Sequence, residues 1–148
     1  MQNIPKIPYF TTSRYRVATM VELARVRTSE TAADLGSGDG RISIALAKAG
    51  IKQVDAYEID ANLRQLSSNL IKKENIDNIN VINKDFWTIN LSDYNIIVCY
   101  PMPTIMGRLE RKLKGELHPY ARVLLNYFPF MHWKEEAIKD NIYLYLKK

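Results

Sequence analysis

The chain has 148 residues, 47% of them hydrophobic, and a formal net charge of +5. That size suits one domain with its own core, and the apolar content excludes a disordered chain or one that needs covalent staples. The positive charge permits an acidic or nucleic-acid partner without requiring one. Cys99 is the only cysteine, so no internal disulfide can form. No stretch reaches the roughly 18 apolar residues of a membrane span, and residues 1–6 lack a signal-peptide core. The expectation is a soluble, cytoplasmic protein.

Strand-like and helix-like segments alternate along the chain. Ser13 can cap a helix bearing Val17, Met20, Val21 and Ala24. Residues 31–35 form a short apolar strand that runs into glycines. Ile42, Ala45, Leu46 and Ala49 mark a helix stopped by Gly50. A second strand covers 54–59. Asp60 can then cap a helix whose Leu63, Leu66 and Leu70 recur on one side. Strands follow at 80–83 and 95–100. A helix carrying Ile105, Met106, Leu109 and Leu113 should end at Gly115. Residues 121–127 read as a fifth strand, and 142–146 alternate like an edge strand. Wholly apolar strands separated by helices predict a parallel sheet covered on both faces. Ligands then bind at the carboxyl ends of the strands, where strand order reverses.

Three motifs fall at such ends. Asp34-Leu35-Gly36-Ser37-Gly38-Asp39-Gly40 joins a strand to a helix, and glycines there let a ligand approach the main chain. Arg41 occupies the place of the third glycine in a dinucleotide fingerprint, and no G-K-[ST] follows, which disfavours NAD and a P-loop nucleotide. Glu58 stands about 20 residues beyond the first glycine, the spacing of a carboxylate that binds ribose hydroxyls. Lys84-Asp85-Phe86-Trp87 follows the third strand: Asp85 can accept from an adenine amino group while Phe86 packs the ring. Each motif has a plainer reading, as a tight turn, a helix cap or core aromatics.

These residues resemble the seven-stranded, class I methyltransferases. In that family segments like Asp34–Gly40, Glu58 with Ile59, and Asp85 with Phe86 hold the methionine, ribose and adenine parts of S-adenosylmethionine. More narrowly, the chain is similar to the small protein-lysine methyltransferases, archaeal and mitochondrial, the latter acting on ATP synthase c-subunit and adenine nucleotide translocase. The resemblance rests on Pro8-Tyr9-Phe10-Thr11-Thr12, the glycine loop, Leu109-Glu110-Arg111-Lys112-Leu113, Ala121-Arg122-Val123, and Phe128-Pro129-Phe130 with Trp133. It departs at Thr11, usually proline, and at Tyr120, usually a turn glycine.

The resemblance implies one α/β domain over 1–148, a Rossmann-like doubly wound sheet of the class I methyltransferase type, mostly parallel with an antiparallel edge strand. Residues 1–12 would cover the cofactor through Tyr9 and Thr12. The cofactor would be S-adenosylmethionine and the acceptor a protein lysine, with RNA or a small molecule as the alternative. The run Cys99-Tyr100-Pro101-Met102-Pro103 lacks the polar leading residue of base-amine methyltransferases. The apolar anchor of the mitochondrial relatives is not seen, so a membrane-bound substrate and stable membrane association are not expected; a monomer is the further expectation.

A free lysine, pKa near 10.4, is neutral in only about one molecule in 2,500 at pH 7. The acceptor slot must therefore be dry and aromatic. Tyr100, Phe128, Phe130 and Trp133 are the candidate walls, Tyr100 foremost. His118 and His132 lack metal-ligand company, and no metal is expected. Arg108, Arg111, Lys112 and Lys114 form a basic helix side, either simply solvated or attracting an acidic partner.

Overall fold

The computed structural model describes residues 12–148. Four helices, α1 (Arg14–Ala24), α2 (Arg41–Lys48), α3 (Ala61–Lys73) and α4 (Met106–Glu116), alternate with strands. The strands are β1 (Thr31–Leu35), β2 (Gln53–Tyr57), β3 (Ile79–Ile82), β4 (Ile96–Cys99), β5 (Arg122–Asn126), β6 (Ala137–Lys139) and β7 (Ile142–Leu146). They form one sheet in the order β3-β2-β1-β4-β5-β7-β6. The first five are parallel, and β7 runs antiparallel to β5 and β6. Strand order reverses between β1 and β4, so the carboxyl ends of these two strands define the crevice.

Strand alternation divides the interior into two layers. Ala32, Ile96, Val98 and Leu124 face Val17, Met20 and Ala24 of α1 with Ile42 and Leu46 of α2. Ala33, Leu35, Ile97, Cys99, Val123 and Leu125 face Leu109 and Leu113 of α4 with Leu91 and Tyr94. Ser13 and Asp60 cap α1 and α3 as expected, accepting from the backbone N–H of Arg16 and Leu63.

Three expectations are corrected. Residues 142–146 are not the edge: β7 lies between β5 and β6, and the three-residue β6 is outermost. The β6–β7 hairpin turns on Asp140 and Asn141, both at positive φ (52° and 59°), the geometry of a two-residue hairpin loop. Gly115 does not end α4, which continues through Glu116, because the helix closes on Leu117 and its backbone bond to Leu113. Leu66 of α3 is 45% exposed rather than packed; the buried residue of the helix is Ser67, which lies against Gly40.

The basic side of α4 is partly consumed by the fold. Lys112 Nζ donates to the carbonyl of Ile89 (2.7 Å) and to Glu116 Oε1 (2.8 Å), while Arg108 lies over the Trp87 ring at 4.0 Å.

Candidate active site

The glycine loop leaves β1 with Gly36, Gly38 and Gly40 all at positive φ, 71°, 59° and 84°. A Cβ on Gly40 would meet Ser67 Cβ at 3.0 Å, so α3 packs against the loop only because that position lacks a side chain. The N–H groups of Gly36 and Ser37 both donate to the carbonyl of Tyr57, pinning the loop to the end of β2. Ser37 Oγ is buried without a hydrogen-bond partner among the described residues. An unpaired buried hydroxyl in a loop of positive-φ glycines fits a polar ligand at that place.

Glu58 follows β2 directly. Its Oε1 accepts from the N–H of Gly38 at 2.7 Å and its Oε2 from the N–H of Asp60 at 3.1 Å. The carboxylate is thus fixed beside the loop. Ile59, next along, is 67% exposed. Register pairs Tyr57 with Ile82, so Glu58 and Ile59 share one end of the sheet with the residues that follow β3. There Asp85 caps a single 3-10 turn by accepting from Trp87 N at 3.0 Å, and Phe86 packs on Trp87 with ring centroids 4.7 Å apart. Asp85 is exposed and Phe86 half-buried. The loop, Glu58 with Ile59, and Asp85 with Phe86 therefore follow the neighbouring strands β1, β2 and β3 at the same end of the sheet.

Asp34 lies in β1, with 2% of its surface exposed. Ser43 Oγ donates to its Oδ2 at 2.7 Å. Burial pushes the Asp34 carboxyl up to about 7, with the Ser43 hydrogen bond opposing and the charges of Glu58 and Asp39 adding to the rise.

Tyr9 lies outside the described residues. Thr12 is buried, and two bonds hold it: Asn126 Nδ2 donates to its Oγ1 at 3.0 Å, and Arg41 donates to its carbonyl at 2.9 Å. Arg41 also forks onto the Asp39 carboxylate, with N–O separations down to 2.6 Å. The segment before α1 is thereby tied to both the glycine loop and the end of β5. Neither Arg41 nor Asn126 stands among the sequence-derived candidates. Arg41 was legible only as an absent glycine, whereas Asn126 left a usable signal, a polar residue closing the apolar run Val123-Leu124-Leu125.

The aromatic candidates separate into two groups. Tyr100 follows β4 and Phe128 follows β5, both half-buried, at the carboxyl end of the sheet. Phe128 packs edge-on against Tyr127, centroids 5.0 Å apart. Phe130 and Trp133 turn back along the α4 side of the sheet. Their rings stack at 5.7 Å and 7°, and both rest on Tyr145, whose hydroxyl accepts from the N–H of Phe130. Trp133 lines, with Lys114, Leu146 and Lys147, a cavity of about 560 Å³. Leu146 pairs with Arg122, the first residue of β5, so this cavity opens at the opposite end of the strands from the glycine loop.

The profile of the ANTKMT methyltransferase domain matches residues 34–137, from the buried carboxylate of β1 to the start of β6. The chain belongs to this methyltransferase family. Over 99% of its length it is 30% identical to a protein-lysine N-methyltransferase of Saccharolobus islandicus, covering 97% of that protein. It is also 35% identical, over 89% of its length, to the ATP synthase c-subunit lysine N-methyltransferase of Xenopus laevis, of which it covers 58%. The chain thus spans somewhat over half the length of that vertebrate relative. Among solved structures, an RNA methyltransferase from Salinibacter ruber in complex with S-adenosyl-L-homocysteine superposes with a TM-score of 0.87 at 26% identity, covering 93% of both chains. The seven-stranded, mostly parallel sheet with one antiparallel strand, β7, near one side matches the architecture of this solved methyltransferase.

Proposed function

We propose that this domain transfers methyl groups from S-adenosylmethionine to lysine side-chain amines of protein substrates. One observation carries the reading: the archaeal relative named a protein-lysine N-methyltransferase aligns across nearly the whole of both chains, glycine loop to last strand. When bound, the cofactor supplies an electrophilic methyl on a sulfonium. The loop from Gly36 to Gly40, bare of side chains at three positions, lets its amino-acid end approach the main chain closely, with Asp34 beneath. Glu58 takes the ribose hydroxyls, and Ile59, Asp85 and Phe86 hold the adenine.

Tyr100 and Phe128 wall the acceptor slot at the ends of β4 and β5. Half-buried aromatic walls strip water from the incoming ammonium and favour its neutral form, which alone carries the lone pair that displacement needs. Positioning does the rest, since in-line displacement calls for no nucleophilic triad. The domain acts as a monomer in the cytoplasm, without stable membrane attachment; among the described residues no helix is long and apolar enough to cross a membrane.

RNA is the second reading. The superposition on a solved RNA methyltransferase over 93% of both chains supports it, as does the +5 charge. Incubation with radiolabelled S-adenosylmethionine and a cell extract, divided between protease and nuclease, separates the two. Label removed by protease and recovered on lysine supports the first; label removed only by nuclease replaces it with the second.

A further inference from the structure

We propose that the side-chain oxygen of Asn126 holds the acceptor amine at the point of methyl transfer. The inference rests on the methyl-transfer reading above and names a residue within that site.

Three apolar residues of β5, Val123, Leu124 and Leu125, have no exposed surface, and Asn126 after them has none either. A carboxamide in such a place is unfavourable unless its groups are paired, and an apolar side chain would fill the space without that penalty. The Nδ2 end is paired, with Thr12 Oγ1. The Oδ1 end is buried and has no partner among the described residues. Buried acceptors in that condition are uncommon and ask for an explanation. A ligand N–H supplies one.

The position fits an acceptor amine. Asn126 shares a face of β5 with Leu124 and Arg122, the α1 side, where Arg122 Nε donates to the carbonyl of Ala24. Cys99 pairs with Leu35 on one side and Leu125 on the other, so Tyr100 and Asn126 are the next residues on neighbouring strands. The candidate slot residue Tyr100 therefore stands between the glycine loop and Asn126. Thr12 closes the circle, bonded to Asn126 at one atom and to Arg41 of the loop at another.

The backbone beyond reinforces the placement. Tyr127 has φ 76°, rare for a bulky residue, and the Phe128 N–H donates back to the Asn126 carbonyl at 3.0 Å around it. The Tyr127 N–H is fastened to the carbonyl of Asn141 at 2.8 Å. Strained backbone of this kind collects where a side chain must be held in one direction. With one amine N–H on Oδ1, the nitrogen lone pair is free to face the methyl. As the N–C bond forms and the S–C bond breaks, the bonding pair stays on sulfur and the surplus amine proton leaves to water. A carboxamide takes no proton, so Asn126 orients the amine rather than deprotonating it.

The test needs no knowledge of the natural substrate. Sinefungin carries an amine where S-adenosylmethionine carries its transferable methyl, and S-adenosylhomocysteine carries nothing there. Calorimetric Kd values for both are compared in the full chain, in Asn126→Leu and in Asn126→Asp. Asn126→Leu is expected to weaken sinefungin at least tenfold while S-adenosylhomocysteine stays within twofold. Asn126→Asp, close in shape, is expected to raise the preference for sinefungin several-fold, and it carries the test if the leucine variant fails to fold. An equal loss of both ligands, or an unmoved ratio in Asn126→Asp, overturns the proposal while leaving the methyltransferase reading intact. Failure of the unaltered chain to bind either ligand overturns both.

Discussion

Ser43 and Asp34 meet across 2.7 Å, the first turn of α2 reaching back to donate a hydroxyl proton to a carboxylate of β1. That single bond does not offset burial, and the Asp34 carboxyl stays up at about 7. A folded-state value raised above the unfolded one stabilises the protein at low pH, and that contribution is lost as pH rises from about 4 through about 7. Asp34→Asn removes the titration and keeps an oxygen for Ser43. The gain in melting temperature of Asp34→Asn over the parent is therefore expected to be larger at pH 8 than at pH 5, levelling off above pH 7. Thermal scans across that range check it, and a gain independent of pH would count against the buried, proton-sharing carboxylate.

Glu58 is expected to govern cofactor affinity. Hydrogen bonds to a charged carboxylate are worth about 1.5–3 kcal/mol, so Glu58→Ala should weaken S-adenosylmethionine binding roughly 10- to 100-fold by calorimetry. Because Glu58 also secures the Gly38 N–H, Glu58→Gln should recover part of the loss. Unchanged affinity in Glu58→Ala would move the ribose elsewhere.

Tyr100 should behave differently. Tyr100→Ala is expected to cut turnover about tenfold or more, near 1.4 kcal/mol in barrier, with cofactor Kd within about threefold. Equal losses in both would place Tyr100 against the cofactor instead.

Trp133, named as an acceptor wall, stacks instead on Phe130 and Tyr145 along the α4 side of the sheet. Fully buried tryptophan truncations cost about 3–5 kcal/mol, and for this half-buried ring about 2–3 kcal/mol is expected. Trp133→Ala should thus lower the melting temperature by roughly 5–10 °C while leaving cofactor affinity unchanged. A selective loss of turnover without loss of stability would return Trp133 to the acceptor slot.

Tyr120 has φ 72° and 77% of its surface exposed, in the turn just before β5. A left-handed non-glycine residue costs about 1–2 kcal/mol, against about 0.5–1 kcal/mol for the extra freedom of glycine in the unfolded chain. Tyr120→Gly should stabilise the protein by about 0.5–1 kcal/mol, read as a small rise in chemical-denaturation midpoint. Destabilisation would reveal a packing role for the ring.

Much of this was legible in the sequence because it depends on local patterns. β4 is a continuous apolar run and β5 holds another at Val123-Leu124-Leu125, and the loop carries alternating glycines whose backbone angles leave little other choice. Glu58 and Asp85 could be read because chain order puts them at the ends of consecutive strands. What escaped depends on contacts distant in the chain. β6 is too short for a periodic signal, and only the Asp140-Asn141 pair, tolerant of positive φ, marks its hairpin. Asn126 gains its meaning from Thr12, 114 residues away. Trp133 and Phe130 follow a strand end as expected of slot residues, but both rings pack on Tyr145 of the last strand, which no local spacing reveals.

The Asp140-Asn141 turn also bears on how the molecule comes to exist. Asp140 accepts from Tyr15 Oη and Thr19 Oγ1, both at 2.6 Å, fastening the hairpin to the far side of α1. During synthesis the glycine loop and Glu58 emerge early, yet Thr12 gains its partner only once residue 126 has been made, and α1 these anchors only once residue 140 has. A growing chain therefore holds the glycine loop long before α1 and Thr12 can settle against their partners. Stabilisation by bound cofactor reaches the protein as a finished unit and gives little help to a nascent one.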